Sequence, residues 1–189
     1  MTPATASLPD FIAAMEEVSR EVDESFGKLS SEQLNWKANP KSWSIGQCIE
    51  HLIKTNTPYI PLIESARNPS RKSSLWEKVP VLPGLFGNLL ANAVSPEAAR
   101  KLKAPNKFQP TASAVNSDVI ARFQQTQKKL LDLMKSTSSV DLAHTIVTSP
   151  AVAVITYSLL DGYRILSNHE QRHLLQAKRV MSTSGFPVT

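Results

Sequence analysis

The chain has 189 residues, 41% of them hydrophobic and 20% charged, which describes a single globular domain over residues 1–189 and excludes wholesale disorder. A single cysteine, Cys48, excludes an internal disulfide framework, paired-cysteine zinc sites and iron–sulfur ligation, and fits a reducing compartment. The net charge of +5 invites nucleic acid, but the basic residues sit in short clusters (Arg71-Lys72, Arg100-Lys101-Lys103, Lys128-Lys129) without interleaved aromatics or a DNA-reading pattern, so none is expected as a partner.

The opening residues carry no basic flank before an apolar stretch and do not read as a signal peptide. No apolar run approaches the ~18 residues that a membrane span needs. The expected location is cytoplasmic, with no membrane partner. Helical periodicity covers residues 9–26, where Phe11, Met15, Val18, Val22 and Phe26 recur at spacings of four and three. Gly27 follows where a left-handed cap belongs. Residues 28–43 form a connector broken by Asn39-Pro40, with room for one turn at residues 30–33.

The second helix opens on Ser44 and Gln47, a capping box, and Trp43 just before it is placed to staple onto Cys48. Ile45, Cys48, Ile49, Leu52 and Ile53 make its apolar stripe. Pro58 and Pro61 end or kink it, and Tyr59, Leu62 and Ile63 let it resume. Residues 67–116 hold six prolines and read as a long crossover containing a short helix at residues 85–94. A third helix spans residues 118–135, capped by Asn116 or Ser117, with Ile120, Phe123, Leu130, Leu131 and Met134 facing inward. The fourth spans about residues 156–181, and the apolar residues 151–155 are either an extended entry or its first turns. No strand alternation stands out. The expected class is all-α, a four-helix bundle with one long crossover between its second and third helices.

Four histidines are present. His169 and His173 lie four apart in the fourth helix, so their rings sit about 40° apart and one turn along the axis, able to converge on one metal ion. Ile165, Leu166, Ala177 and Val180 share that face, so the pair points at the core, where an unpartnered polar ring costs several kcal/mol. Either a metal or hydrogen bonds from other helices must satisfy it. His51 lies more than 100° from the middle of the second helix's stripe, and periodicity alone does not select it. His144, in the loop before the fourth helix, is left outside any site. Gln47 and Gln176, one turn from His51 and His173, are candidates to support those rings. Glu170, ~100° round from His169, is expected to face solvent or to pair with Arg172 or a lysine. His169 to His173 also fits the H-E-x-x-H of zinc proteases. However, neither the glycine nor the third histidine follows, and the 16 residues after His173 hold no acidic residue.

Trp43-Ser44-Ile45-Gly46 followed by His51-Leu52, then His169, Arg172, His173 and Gln176, with Lys103-Ala104-Pro105, Phe108 and Pro110 between them, resemble the DinB-like (DinB/YfiT) superfamily of four-helix-bundle metalloproteins over nearly the whole chain. The resemblance implies an up-down-down-up bundle. Its second and fourth helices would present His51, His169 and His173 to a divalent metal, nickel or zinc, with iron or manganese as further candidates. It also implies a metal-dependent enzyme, a thiol-dependent S-transferase or a hydrolase, acting on a small-molecule substrate such as a low-molecular-weight thiol. A homodimer is compatible with it. A non-catalytic metal-binding or stress-associated module, and a metal that only staples the bundle, stay open. No catalytic residue is assigned beyond the metal, and Cys48, in the apolar stripe, reads as core.

Overall fold

The computed structural model describes residues 6–78, 82–98 and 104–187, so Arg100, Lys101 and Lys103 lie outside the described residues. Its helices are α1 (Leu8–Phe26), α2 (Ser31–Asn35), α3 (Ile45–Asn56), α4 (Tyr59–Ala66), α5 (Leu82–Ala93), α6 (Val119–Lys135) and α7 (Leu159–Met181). Strands β1 (Ile146–Thr148) and β2 (Thr156–Ser158) pair antiparallel, Val147 opposite Tyr157. Among the described residues no helix is long and apolar enough to cross a membrane.

The long helices form where the apolar spacing places them. α1 buries Phe11, Met15, Val18, Val22 and Phe26. The predicted box opens α3: Ser44 Oγ accepts the Gln47 amide and Gln47 Oε1 accepts the Ser44 amide, both at 3.2 Å, satisfying two donors that a helix start leaves free. Gly46, next along, lets chain approach closely, since a Cβ there would meet the Leu34 carbonyl oxygen at 3.0 Å.

α1 and α3 each pack against both α6 and α7, so α1 and α3 occupy opposite corners of a square. Side-chain pairs set the directions. Gln127 reaches the Met15 carbonyl and Gln124 the Ser19 carbonyl, so α6 runs against α1. Phe11 and Met15 cluster with Tyr163 and Leu166, and Val18 and Val22 with Leu174 and Ala177, so α7 runs with α1. α3 opposes α7, because its start meets Ala177 and its end meets Glu170. The bundle is therefore up-down-down-up. Parallel α3 and α6 cannot be joined by a tight turn, which is why the crossover must be long; α4 resumes after α3 beyond Thr57 and Pro58, and α5 lies within the crossover.

Three local expectations are corrected. Gly27 is right-handed (φ −61°), because the chain turns through a Leu29 to Phe26 backbone bond straight into the Ser30 cap of α2. α6 is flanked by Asp118, not capped by Asn116 or Ser117. α7 starts at Leu159, capped by Ser158, whose Oγ accepts the Asp161 amide at 3.0 Å. Residues 156–158 are instead strand, and the apolar residues 151–155 lie in the hairpin connection, with Val154 exposed. A three-residue strand is too short to show alternation.

Candidate metal centre

His51 comes from the middle of α3, and His169 and His173 from successive turns of α7. One nitrogen from each lies within 4.8 Å of the others. His51 Nε2 stands 3.2 Å from His169 Nε2. Two imidazole nitrogens bound to one tetrahedral first-row ion at 2.0–2.1 Å are about 3.3 Å apart, so this spacing suits a shared ion. His51 and His173 are buried and His169 is half-buried.

His51 is selected by its surroundings rather than by helical phase. The crossover segment around residues 105–111 lies along α3 as a strap, bonded in succession to one side of the helix. Gln47 donates to the Thr111 carbonyl (2.6 Å), Glu50 accepts the Thr111 amide and hydroxyl (2.6 and 2.8 Å), and Lys54 donates to the Gln109 carbonyl (3.1 Å). Between them, His51 Nδ1–H donates to the Phe108 carbonyl at 2.7 Å. With Nδ1 protonated, Nε2 carries the free lone pair, and that is the nitrogen facing His169.

Electrostatics keep all three rings neutral. Burial lowers the pKa of His51, against the pull of the Phe108 bond and with help from Lys54. Burial, then His173, His51 and Arg172, push His169 well below its usual value. Burial, His51 and Arg172 bring His173 down to about 3, although the Gln176 side chain opposes them. Neutral imidazoles are the metal-binding form. His173 Nδ1 is buried without a hydrogen-bond partner, an uncompensated cost of the kind an ion removes. The donor set fits a borderline divalent metal ion.

Trp43 packs against the apolar cluster that contains Cys48 and also reaches the histidines. Its ring stacks on His173 (centroids 5.8 Å apart, planes inclined 21°) and tilts against His51 (4.9 Å). Of the two glutamines expected to support the ligands, Gln176 acts on His173 only by opposing the fall of its pKa, whereas Gln47 serves the strap and the cap. His144 is exposed and bonded to Asp141. Cys48 is fully buried, its thiol pushed up to about 12 by burial.

Glu170 overturns its expectation. It neither faces solvent nor pairs with Arg172. It is fully buried among the four long helices, where Asn56 Nδ2 and Gln127 Nε2 each donate to its carboxyl at 2.6 Å. Burial raises its pKa to about 8. Its carboxyl is held away from the histidines, so it cannot serve as the general base that H-E-x-x-H supplies in a zinc protease. The sequence signal lay in Asn56 and Gln127, polar residues on otherwise apolar stripes.

A family model described as the DinB superfamily matches residues 14–177. The chain belongs to the DinB superfamily. Its fold also matches the solved structure of YfiT from Bacillus subtilis, described as a probable metal-dependent hydrolase with an unusual four-helix bundle topology, with a TM-score of 0.60 and 12% identity over 99% of this chain and 95% of that one. At that identity the likeness speaks for the DinB-like fold. No curated protein matches the chain.

Proposed function

We propose that this DinB-superfamily chain holds one divalent metal ion through His51, His169 and His173 and uses it to activate water, as a hydrolase of a small-molecule substrate. The observation that carries the reading is the convergence of three neutral imidazoles, two buried and one half-buried, with the metal-facing tautomer of His51 set by the Phe108 carbonyl. Among the described residues no fourth histidine, cysteine or carboxylate joins the cluster. Three protein ligands with an open position are the pattern of catalytic rather than structural zinc sites. An ion so held supplies a Lewis acid and brings the pKa of bound water towards 7.

The chain's own residues position and shield. The strap orients His51, and Trp43 covers one face of His173. Glu50 and Glu170 both have their carboxyl groups engaged, so neither is placed as a general base. Cys48 is sealed in the core, so in the S-transferase form of this chemistry the thiolate comes from a low-molecular-weight thiol bound at the same position. YfiT, described as a probable metal-dependent hydrolase, supports hydrolysis first. A lone buried cysteine suits the reducing cytoplasm.

The test is metal analysis of purified protein, then cobalt substitution and titration with acetate, imidazole and small thiols. A shifted cobalt spectrum, with metal-dependent hydrolysis of esters or amides, supports the reading. A spectrum indifferent to every added ligand would leave the chain as a non-catalytic metal-binding module.

A further inference from the structure

Both hydrophobic clusters of the bundle stop at one level. On α1, Met15 belongs to one and Val18 to the other; on α7, Leu166 to one and Leu174 to the other. α3 passes from Leu52 to Tyr59 at the head of α4, and α6 from Phe123 to Leu130. Between them stand Asn56, Gln127 and Glu170, all fully buried. Glu170 Oε1 accepts from Asn56 and Oε2 from Gln127, both at 2.6 Å, and the Gln127 amide also reaches the Met15 carbonyl at 3.1 Å. One polar layer thus joins α1, α3, α6 and α7.

This layer contributes little to stability by itself. Asn56 Oδ1 and Gln127 Oε1 are buried without partners, and a carboxyl has been withdrawn from water for two hydrogen bonds. Apolar replacements of such groups are often neutral or stabilising. What the layer supplies is register. Apolar faces are non-directional and can slip past one another, whereas these bonds form at only one axial setting of α7 against α3. The metal site spans that same α3–α7 interface, and Glu170 directly follows His169 in the chain. A ligand constellation must be held to within about 0.5 Å.

We infer that Glu170, with Asn56 and Gln127, is a positioning residue for the three-histidine site: the layer sets the register in which His51 meets His169 and His173, and so the metal affinity, although its bonds go to none of the histidines. The inference rests on the metal-binding reading above.

The experiment compares cobalt affinity, cobalt spectrum and apo-protein melting in wild type, Glu170→Met, Glu170→Gln and the triple variant Asn56→Leu, Gln127→Met, Glu170→Met. The triple variant should melt at or above the wild-type temperature and yet bind cobalt at least tenfold more weakly, with an altered spectrum, the size of effect that ligand-supporting groups exert. Glu170→Gln, which keeps shape and can still bond both amides after one side chain turns over, should recover affinity relative to Glu170→Met. Wild-type affinity and spectrum in the triple variant would overturn the inference. If the triple variant does not fold, the inference stands or falls on the single pair, and equal cobalt affinity in Glu170→Gln and Glu170→Met overturns it. Absence of cobalt binding in wild type would instead overturn the metal reading itself, before any variant is compared.

Discussion

His51 Nδ1–H ends on the carbonyl oxygen of Phe108, 57 positions away in the sequence and 2.7 Å away in space. That bond points the opposite nitrogen at His169 and makes the three rings one site rather than a pair with a bystander. Purified protein should therefore hold about one divalent ion per chain. His169→Ala should lose nearly all of it, since two imidazoles are a poor site for a first-row ion. His144→Gln should keep it, because His144 is exposed and occupied with Asp141. Metal analysis of the three proteins decides the matter, and full occupancy in His169→Ala would remove the assignment.

The sequence shows His169 and His173 plainly, because two residues on one helix face are related by local geometry alone. His51 becomes visible only through the family resemblance, since its burial comes from a strap of residues distant in sequence. Glu170 is misread for a related reason. A carboxyl beside a ligand looks solvent-facing until Asn56 and Gln127, on two other helices, are known to reach it. The four-helix class and the crossover follow from apolar periodicity and proline content. The hairpin does not, because its short strands are defined by pairing to each other rather than by any pattern within them.

The strap's hold on His51 depends on Glu50, which accepts both the amide and the hydroxyl of Thr111. Glu50→Ala should leave these donors without their acceptor, lower stability by about 1–3 kcal/mol and weaken metal binding by about tenfold. Glu50→Gln, which retains one acceptor, should lie between Glu50→Ala and wild type. Metal titration and thermal melts of both variants test this. Unchanged metal affinity in Glu50→Ala would mean that the Phe108 carbonyl holds its place without the clasp.

The metal-free protein should show a stability maximum near neutral pH. All three site histidines have folded pKa values below their usual 6.5, His173 down to about 3. Below pH 6.5 the unfolded chain thus binds more protons than the folded one, and stability rises with pH through that range. Glu170 works the other way: its folded pKa near 8, against 4.5 when unfolded, makes stability fall as pH rises from about 4.5 to 8. Three groups outweigh one up to pH 6.5, and Glu170 acts alone above it. Melting temperatures of chelated protein from pH 4 to 9 should trace a rise and then a shallower fall, and a monotonic decline from pH 4 would contradict the assigned protonation states.

Trp43 offers an optical reading of the site. Its ring lies against His173 and His51, whereas Trp36 packs on Phe186 with centroids 5.5 Å apart. Nickel or cobalt, whose partly filled d shells quench a nearby indole, should dim the intrinsic fluorescence in proportion to occupancy, and d¹⁰ zinc should not. Trp43→Phe should abolish most of the metal-dependent change. Equal quenching in that variant would place the bound ion elsewhere.

Removal of the metal should leave the bundle standing. The two apolar clusters draw on all four long helices and contain no histidine, so the core closes without the ion, unlike a zinc finger, whose folding energy is its metal-binding energy. Bound metal then adds only the mass-action term RT ln(1 + [L]/Kd), about 3–4 kcal/mol at a hundred to a thousand times Kd. After chelation the helical circular dichroism should persist, the melt should stay cooperative, and its midpoint should fall by an amount that returns on adding metal back. An apo-protein that loses its helical signal would make the ion a staple. That result, joined to a cobalt spectrum insensitive to small ligands, would take the catalytic reading away from the three histidines.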